Sequence, residues 1–100
     1  MRIERDERGG IRAVLSGPLD RETVPGVRKA LLAAARRAGP GGLTVDLSGV
    51  PRCDTAGIAL LVETLRALRR RNAPLCVTGA AEQPRHMIRL ARLESVFGVC

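Results

Sequence analysis

The segment at residues 50–62 reads VPRCDTAGIALLV and decides how the chain is organised. It follows Asp-Leu-Ser-Gly at residues 46–49, where a strand is predicted to end, and it begins an apolar helix. Asp54 or Thr55 is a suitable N-cap for that helix, and Gly57 leaves room above the first turn. The pattern therefore places the Thr55 hydroxyl at a helix N-terminus, where backbone N–H groups and the helix dipole favour added negative charge.

The Thr55 hydroxyl has no catalytic partner in the surrounding sequence, because the only histidine, His86, lies outside the segment. Asp46, Asp54 and Glu63 could suggest a magnesium site, but strand-end and helix-cap roles explain the first two. We therefore expect no metal, no cofactor and no enzymatic activity. We interpret Thr55 as a group that is acted upon.

The composition predicts one domain over residues 1–100 with an aliphatic core. The chain has 100 residues, 45% of them hydrophobic, with one Phe and neither Trp nor Tyr. The first residues lack the apolar run of a signal peptide, and the longest apolar run, at residues 57–62, is far shorter than the roughly 20 residues that span a bilayer. We therefore expect no transmembrane segment and a cytoplasmic location.

The formal net charge of +7 raises the question of nucleic-acid binding. The basic residues are almost all arginines that are spread over every predicted helix, many near C-termini, where they complement the helix dipole. No aromatic residues interleave for base stacking, and no helix-turn-helix or zinc finger is visible. We therefore do not expect specific nucleic-acid binding. A basic patch that meets an acidic partner or a membrane surface is the alternative.

Hydrophobic periodicity and turn residues predict the order β-β-α-β-α-β-α. Gly9-Gly10 should join the first two strands in a hairpin, and Asp20 or Thr23 should cap the first helix, which runs to about Ala38. Right-handed crossovers then give a mixed, mostly parallel sheet of four to five strands with its helices on one face. The predicted strands are at 2–6, 11–16, 43–47 and 75–78, with a short closing strand at 96–99. The remaining helices are at 56–71 and from 82 to 90 or a little beyond.

The helix at residues 56–71 has two faces that its sequence distinguishes. The predicted core stripe consists of Ile58, Leu61, Val62, Leu65 and Leu68. The predicted opposite face consists of Ala56, Ala59, Leu60, Glu63 and Ala67. Leu60 is thus predicted to point away from the core, either as an ordinary surface leucine or as the anchor of a docking surface. The neighbouring Thr55 hydroxyl favours docking.

Four motifs along the chain resemble the STAS domain family, which is named for sulfate transporters and anti-sigma factor antagonists. They are LSGPLD at 15–20 for the family's L-x-G-x-L-D, DLSGV at 46–50 for D-L-S-x-V, DTAGI at 54–58 for D-S/T-x-G-L/I, and LARLESVF at 90–97 for L-x-x-L-x-x-V-F. The resemblance covers nearly the whole chain. It implies an α/β fold, a right-handed β/α superhelix, and a non-enzymatic regulatory role.

The anti-sigma factor antagonist branch of the family implies a phosphorylation switch at Thr55. In that branch a partner kinase, which is also the anti-sigma factor, phosphorylates the hydroxyl of the D-S/T-x-G motif, and the phosphorylated form no longer binds that kinase. The resemblance then implies that the partner contacts the loop at residues 54–57 and the helix that follows. We expect the contacts at Asp54, Ala56, Gly57, Ala59, Leu60 and Glu63, with Asp20, Asp46 and Ser48 in supporting loops.

One departure from the antagonist pattern supports a different partner. Many antagonists have Ser-Ser where this chain has Thr55-Ala56. Thr-Ala followed by Gly-Ile-Ala-Leu-Leu resembles the small STAS subunit of lipid-transport ABC systems, in which the same helix docks on the ATPase subunit. The alternative is therefore an accessory subunit of such a transporter. In a third interpretation Thr55 is only an N-cap, without any regulation.

Overall fold

The computed structural model describes residues 1–5 and 9–99. It shows a five-stranded sheet covered by three helices. The strands are β1 (Arg2–Arg5), β2 (Ile11–Ser16), β3 (Leu43–Gly49), β4 (Leu75–Thr78) and β5 (Gly98–Val99). The helices are α1 (Val24–Arg37), α2 (Thr55–Arg69) and α3 (Glu82–Leu90). Within these described residues, none of the helices is long and apolar enough to cross a membrane.

The strands lie in the order β1-β2-β3-β4-β5, so neighbours in the sheet are also neighbours in sequence. β1 pairs with β2 antiparallel, and every later pair is parallel. The predicted hairpin and the mixed, mostly parallel sheet are therefore confirmed. The predicted first strand ends at Asp6, which lies outside the described residues, whereas β3 runs two residues further than predicted, to Gly49.

Alternation along the central strands separates a covered face of the sheet from an open one. Ile11, Ala13 and Leu15 are buried in β2, while Arg12 and Val14 between them are half-buried. Alternate side chains of a strand point to opposite faces, so the buried set lies on the face that the helices cover. The aliphatic core predicted from composition is built from this set together with, among others, Leu31, Ala34, Val45, Leu47, Leu61, Leu65 and Leu68.

The orientation of α2 differs from the prediction, because α2 packs against α1 as well as against the sheet. Leu60 is only 2% exposed, so the expectation that it points away from the core is wrong. Glu63, three residues later on the same side, forms an ion pair with Arg28 of α1. A helix that is covered on two sides buries a wider arc than one stripe, and this arc includes Leu60 and the fully buried Thr64. Val62, predicted in the core, is half-buried and packs against the core from its edge.

Candidate functional site

Two loops meet at the carboxyl ends of β2 and β3 and fix where α2 begins. The backbone N–H of Leu19, after β2, donates to the carbonyl oxygen of Arg52, after β3, at 2.8 Å. The N–H of Asp54 donates back to the carbonyl oxygen of Leu19 at 3.1 Å. Leu19 and Cys53 form an isolated parallel bridge at this point. The first turn of α2 is therefore held by a second loop and not only by its own strand.

Asp54 is the N-cap of α2, as one of the two predicted alternatives had it. Its Oδ1 accepts hydrogen bonds from the backbone N–H groups of Ala56 at 2.8 Å and Gly57 at 3.2 Å. Its Oδ2 accepts from the N–H of Arg21 at 3.2 Å. Desolvation opposes ionisation of Asp54, but these three hydrogen bonds and the Arg21 charge outweigh it and lower the pKa of the carboxyl. Asp54 is therefore a carboxylate that ties both loops to the helix.

Gly57 permits close contact between α2 and the loop beneath it. It is buried, and a Cβ atom at this position would lie 2.6 Å from Cys53 Sγ and 2.7 Å from the carbonyl oxygen of Leu19. The expectation that Gly57 leaves room above the first turn is wrong, because Cys53 Sγ and the carbonyl oxygen of Leu19 occupy that space. Burial and the charge of Asp54 raise the pKa of the neighbouring Cys53 thiol to about 11, so this thiol is protonated and unreactive at neutral pH.

Thr55 is exposed and is the first residue of α2. No hydrogen bond involves its hydroxyl within the described part of the chain. Ala59 is exposed one turn further along, and Ala56 and Val62 are half-exposed beside it. We call these four residues, Thr55, Ala56, Ala59 and Val62, the α2 outer face. It is uncharged, and its hydroxyl is free to accept a new group or to contact a partner.

Glu63 borders the α2 outer face and is already occupied by a residue of α1. Arg28 donates from Nε to Oε1 at 2.8 Å and from Nη2 to Oε2, which makes a two-point ion pair. The hydrogen bonds and charge of Arg28, with a smaller contribution from Arg36, lower the pKa of Glu63 against desolvation. The predicted partner contact at Glu63 would therefore compete with Arg28.

Asp20 belongs to the loop after β2 and lines the same cleft as Asp54. Its Oδ1 accepts from the backbone N–H groups of Glu22 at 2.9 Å and Thr23 at 3.0 Å, so it organises the turn that leads into α1. Its Oδ2 is 3.8 Å from Nη2 of Arg52. A shallow cleft of about 220 Å³ is lined by Asp20, Arg21, Glu22, Arg52 and Asp54. This cleft adds polar groups of both signs next to Thr55.

Gln83, at the start of α3, is a part of the site that the sequence did not reveal. Its Oε1 accepts from the backbone N–H of Cys53 at 2.7 Å, and its Nε2 donates to the carbonyl oxygen of Cys53 at 3.0 Å. One side chain thus satisfies both backbone polar groups of the residue before the N-cap. No local motif signals this contact, since thirty residues separate the two in sequence.

Asp46 and Ser48 support the end of β3 rather than the Thr55 loop. Oδ1 of Asp46 accepts from the backbone N–H of Ser48 at 2.8 Å, and Oδ2 pairs with Arg12 of β2 at 2.5 Å. Hydrogen bonds from Ser48 and, to a lesser extent, from Arg12 lower the pKa of Asp46. Within residues 1–5 and 9–99, no group of three or more His, Cys, Asp or Glu side chains is arranged to hold a metal ion.

Comparisons with known proteins connect this geometry with one family. A family model described as "Mlab, STAS domain" matches residues 5–98. The structure of a STAS domain protein from Planctomyces limnophilus has a TM-score of 0.87 at 17% identity, covering 98% of this chain and 86% of that one. An anti-sigma factor antagonist from Mycobacterium paratuberculosis has a TM-score of 0.78 at 28% identity, with coverage of 97% and 80%.

A further solved structure shares the fold in a modified state. The Bacillus cell fate determinant SpoIIAA in its phosphorylated form has a TM-score of 0.74 at 16% identity, covering 99% of this chain and 89% of that one. No curated protein matches the chain by sequence. The family match spans almost the whole chain, and the structural neighbours share its sheet and helices. The chain belongs to the STAS domain family.

Proposed function

We propose that this chain is a non-enzymatic partner switch of the anti-sigma factor antagonist type. In this proposal a partner protein docks on the α2 outer face and on the adjoining loop around Asp54, and Thr55 is the phosphoacceptor. The observation that carries the proposal is the exposed Thr55 hydroxyl, which has no hydrogen bond among the described residues and stands at a helix N-terminus that Asp54 and Gln83 hold in place. Structural neighbours that are antagonists, including one in a phosphorylated form, support it.

The physical basis of the switch is a change of charge on an uncharged surface. A phosphate on Thr55 adds close to two negative charges next to the Asp54 carboxylate. The helix dipole and the N–H groups of the first turn favour that charge, so the fold should tolerate it. A partner that covers Ala59 and Val62 would have to desolvate the phosphate, which weakens the complex. Phosphorylation would therefore release the partner without unfolding the domain.

The docking surface that we propose is smaller than the sequence alone suggests. Leu60 and Gly57 are buried, so neither residue is accessible to a partner. Of the predicted contacts, Asp54, Ala56 and Ala59 remain, and Glu63 would participate only if Arg28 released it. Val62, which was predicted in the core, is half-exposed and joins this surface. Ala56 and Ala59 have small side chains, so another helix or loop could approach the backbone of α2 closely on this face.

A second candidate is an accessory subunit that docks on the ATPase subunit of a lipid-transport ABC system. Two observations favour it: Ala56 follows Thr55 where many antagonists have a second serine, and the matching family model carries the Mlab description. The same α2 outer face would then dock, but the Thr55 hydroxyl would be a permanent contact. The two candidates therefore differ in the fate of Thr55 and in the class of partner.

Affinity purification with variants of Thr55 separates the two candidates. Tagged wild-type protein, Thr55→Ala and Thr55→Glu are expressed in the source cell, and the captured proteins are identified by mass spectrometry. For a partner switch we expect a serine kinase with the wild type and with Thr55→Ala, its loss with Thr55→Glu, and a phosphate on Thr55 of the wild type. Capture of an ATPase subunit that Thr55→Ala weakens supports the second candidate. Capture of the same partners by all three proteins contradicts both.

A further inference from the structure

A cleft of about 420 Å³ opens between the C-terminal halves of α1 and α2. Its polar lining consists of arginines from both helices and from the turn after α2: Arg36, Arg66, Arg70 and Arg71. Leu32, which is 6% exposed, and Ala67 supply apolar surface. The cleft lies on the same pair of helices as Thr55 but towards their opposite ends. It therefore belongs neither to the α2 outer face nor to the loops around Asp54.

Among the residues that the structure describes, the positive charge in this cleft is only partly offset, by the attraction between Arg36 and Glu63. Glu63 is the one acidic residue that lines the cleft, and its carboxylate already accepts two hydrogen bonds from Arg28. Among the described residues, no hydrogen bond or ion pair joins Arg66 or Arg70 to a carboxylate. Arg71 donates from Nε to the carbonyl oxygen of Ala38 at 3.3 Å, which orients its guanidinium and leaves its other N–H groups available.

Helix dipoles account for only part of this charge. α1 and α2 both end at the cleft, and each C-terminus contributes roughly half a negative charge. Together they amount to about one negative charge, against four guanidinium groups. An excess of roughly three positive charges therefore converges on one cleft, and a bound anion would reduce the repulsion among these exposed groups. Complementing the dipoles would need only one arginine at each helix end.

We propose that this cleft binds a phosphate-bearing group, either a soluble phosphate compound or the headgroup of an anionic lipid. Guanidinium groups present planar pairs of N–H donors that match phosphate oxygens, and several of them around one cleft suit a multiply charged anion. The volume lies within the range of small-ligand sites, and Leu32 with Ala67 offers apolar contact to the rest of the ligand. This binding requires neither Thr55 nor a docked protein, so it goes beyond the proposed partner switch.

Two matched double variants test the cleft. Arg66→Gln with Arg70→Gln removes two exposed cleft arginines, and Arg85→Gln with Arg89→Gln removes two exposed arginines from α3. Both pairs lower the net charge by the same amount, so only the position of the charge differs. Binding is measured at low salt with two probes: inorganic pyrophosphate by titration calorimetry, and flotation with vesicles of phosphatidylglycerol mixed into phosphatidylcholine. Circular dichroism checks that every variant keeps its fold.

We expect the wild type to bind at least one probe and the cleft pair to weaken that binding by about tenfold or more, the effect of losing charge-assisted hydrogen bonds. The α3 pair should change it by less than about threefold, as for ordinary surface charges. Binding of pyrophosphate assigns the site to soluble phosphates, and binding of vesicles alone assigns it to a lipid headgroup. Equal weakening by both pairs, or no binding of either probe by the wild type, overturns the proposal.

Discussion

The side-chain amide of Gln83 holds both backbone polar groups of Cys53, with an N···Oε1 distance of 2.7 Å and an Nε2···O distance of 3.0 Å. Cys53 precedes the N-cap Asp54, so α3 helps to position the first turn of α2. The contact replaces the hydrogen bonds that a neighbouring strand would supply to this segment. Three segments far apart in sequence thus converge below the Thr55 hydroxyl: the loop after β2, the loop after β3 and the start of α3.

Replacing Gln83 tests this contact. Gln83→Ala removes two hydrogen bonds to a part-buried backbone, and we expect the free energy of unfolding to fall by about 2 kcal/mol. Urea denaturation followed by circular dichroism measures the change. His86→Ala, an exposed substitution on the same helix, is the control and should stay within about 0.5 kcal/mol of the wild type. Equal stability of both variants would show that the amide contributes nothing.

Two glycines in helices should respond in opposite directions to alanine. Gly57→Ala places a Cβ within 2.7 Å of the Leu19 carbonyl oxygen, so we expect a loss of about 1–3 kcal/mol despite the better helix propensity of alanine. Gly26→Ala in α1 meets nothing within 4 Å and should raise stability by up to about 1 kcal/mol. Thermal denaturation of both variants and the wild type measures the two changes in stability. A stabilising Gly57→Ala would contradict the close approach of α2 to the loop beneath it.

The buried position of Leu60 leads to a prediction opposite to the one that the sequence suggested. Leu60→Glu introduces a carboxylate at a side chain that is 2% exposed, and we expect a loss of about 3 kcal/mol or more in unfolding free energy. Ala59→Glu, one residue earlier but exposed, should leave the native circular dichroism spectrum and the midpoint of denaturation nearly unchanged. If Leu60→Glu proves as stable as Ala59→Glu, the orientation of α2 described above is incorrect.

Asp46 should make the domain sensitive to acid. Its pKa is lowered in the folded state, mainly by hydrogen bonds from Ser48, so the folded protein favours the carboxylate. The corresponding stabilisation is present above the unfolded pKa, which is about 3.9 for aspartate, and is lost as the pH falls through the lower folded value. We expect wild-type stability to decrease below about pH 4, and Asp46→Asn to decrease less steeply over that range. Urea denaturation at a series of pH values measures how the unfolding free energy of each protein depends on pH. The same dependence for both proteins would show that Asp46 does not cause the acid sensitivity.

Much of the fold follows from the sequence because its signals are local. Alternating and helical periodicities, together with glycine and proline at the turns, predict β2 and β4 with the boundaries that the structure has, and α3 with its first residue. The D-x-x-G segment likewise indicates an N-cap at Asp54 or Thr55 and a hydroxyl at the helix N-terminus, and the structure has Asp54 as the N-cap. These features depend on residues within a few positions of one another, where propensity and capping are decisive.

The errors arise where a distant element determines the environment. Periodicity gave α2 a single buried stripe, but α1 covers a second side of the helix and buries Leu60. The sequence suggested free space next to Gly57, whereas Leu19 in the loop after β2 occupies that space. The Gln83 contact could not be predicted either, because only the completed sheet brings α3 next to Cys53. A correct helix pattern therefore identified the residues of α2 but not the side that a partner can reach.

The most direct test of the central claim is the affinity of the purified partner, recovered from the source cell, for variants of the α2 outer face. Titration calorimetry compares the wild type with Thr55→Glu, with Ala59→Arg and with the control Ala30→Arg, which adds the same charge at an exposed position of α1. We predict that Thr55→Glu and Ala59→Arg each weaken binding at least tenfold, about 1.4 kcal/mol, while Ala30→Arg leaves it within about twofold. Unchanged affinity of Thr55→Glu and Ala59→Arg would contradict the claim that this face docks the partner.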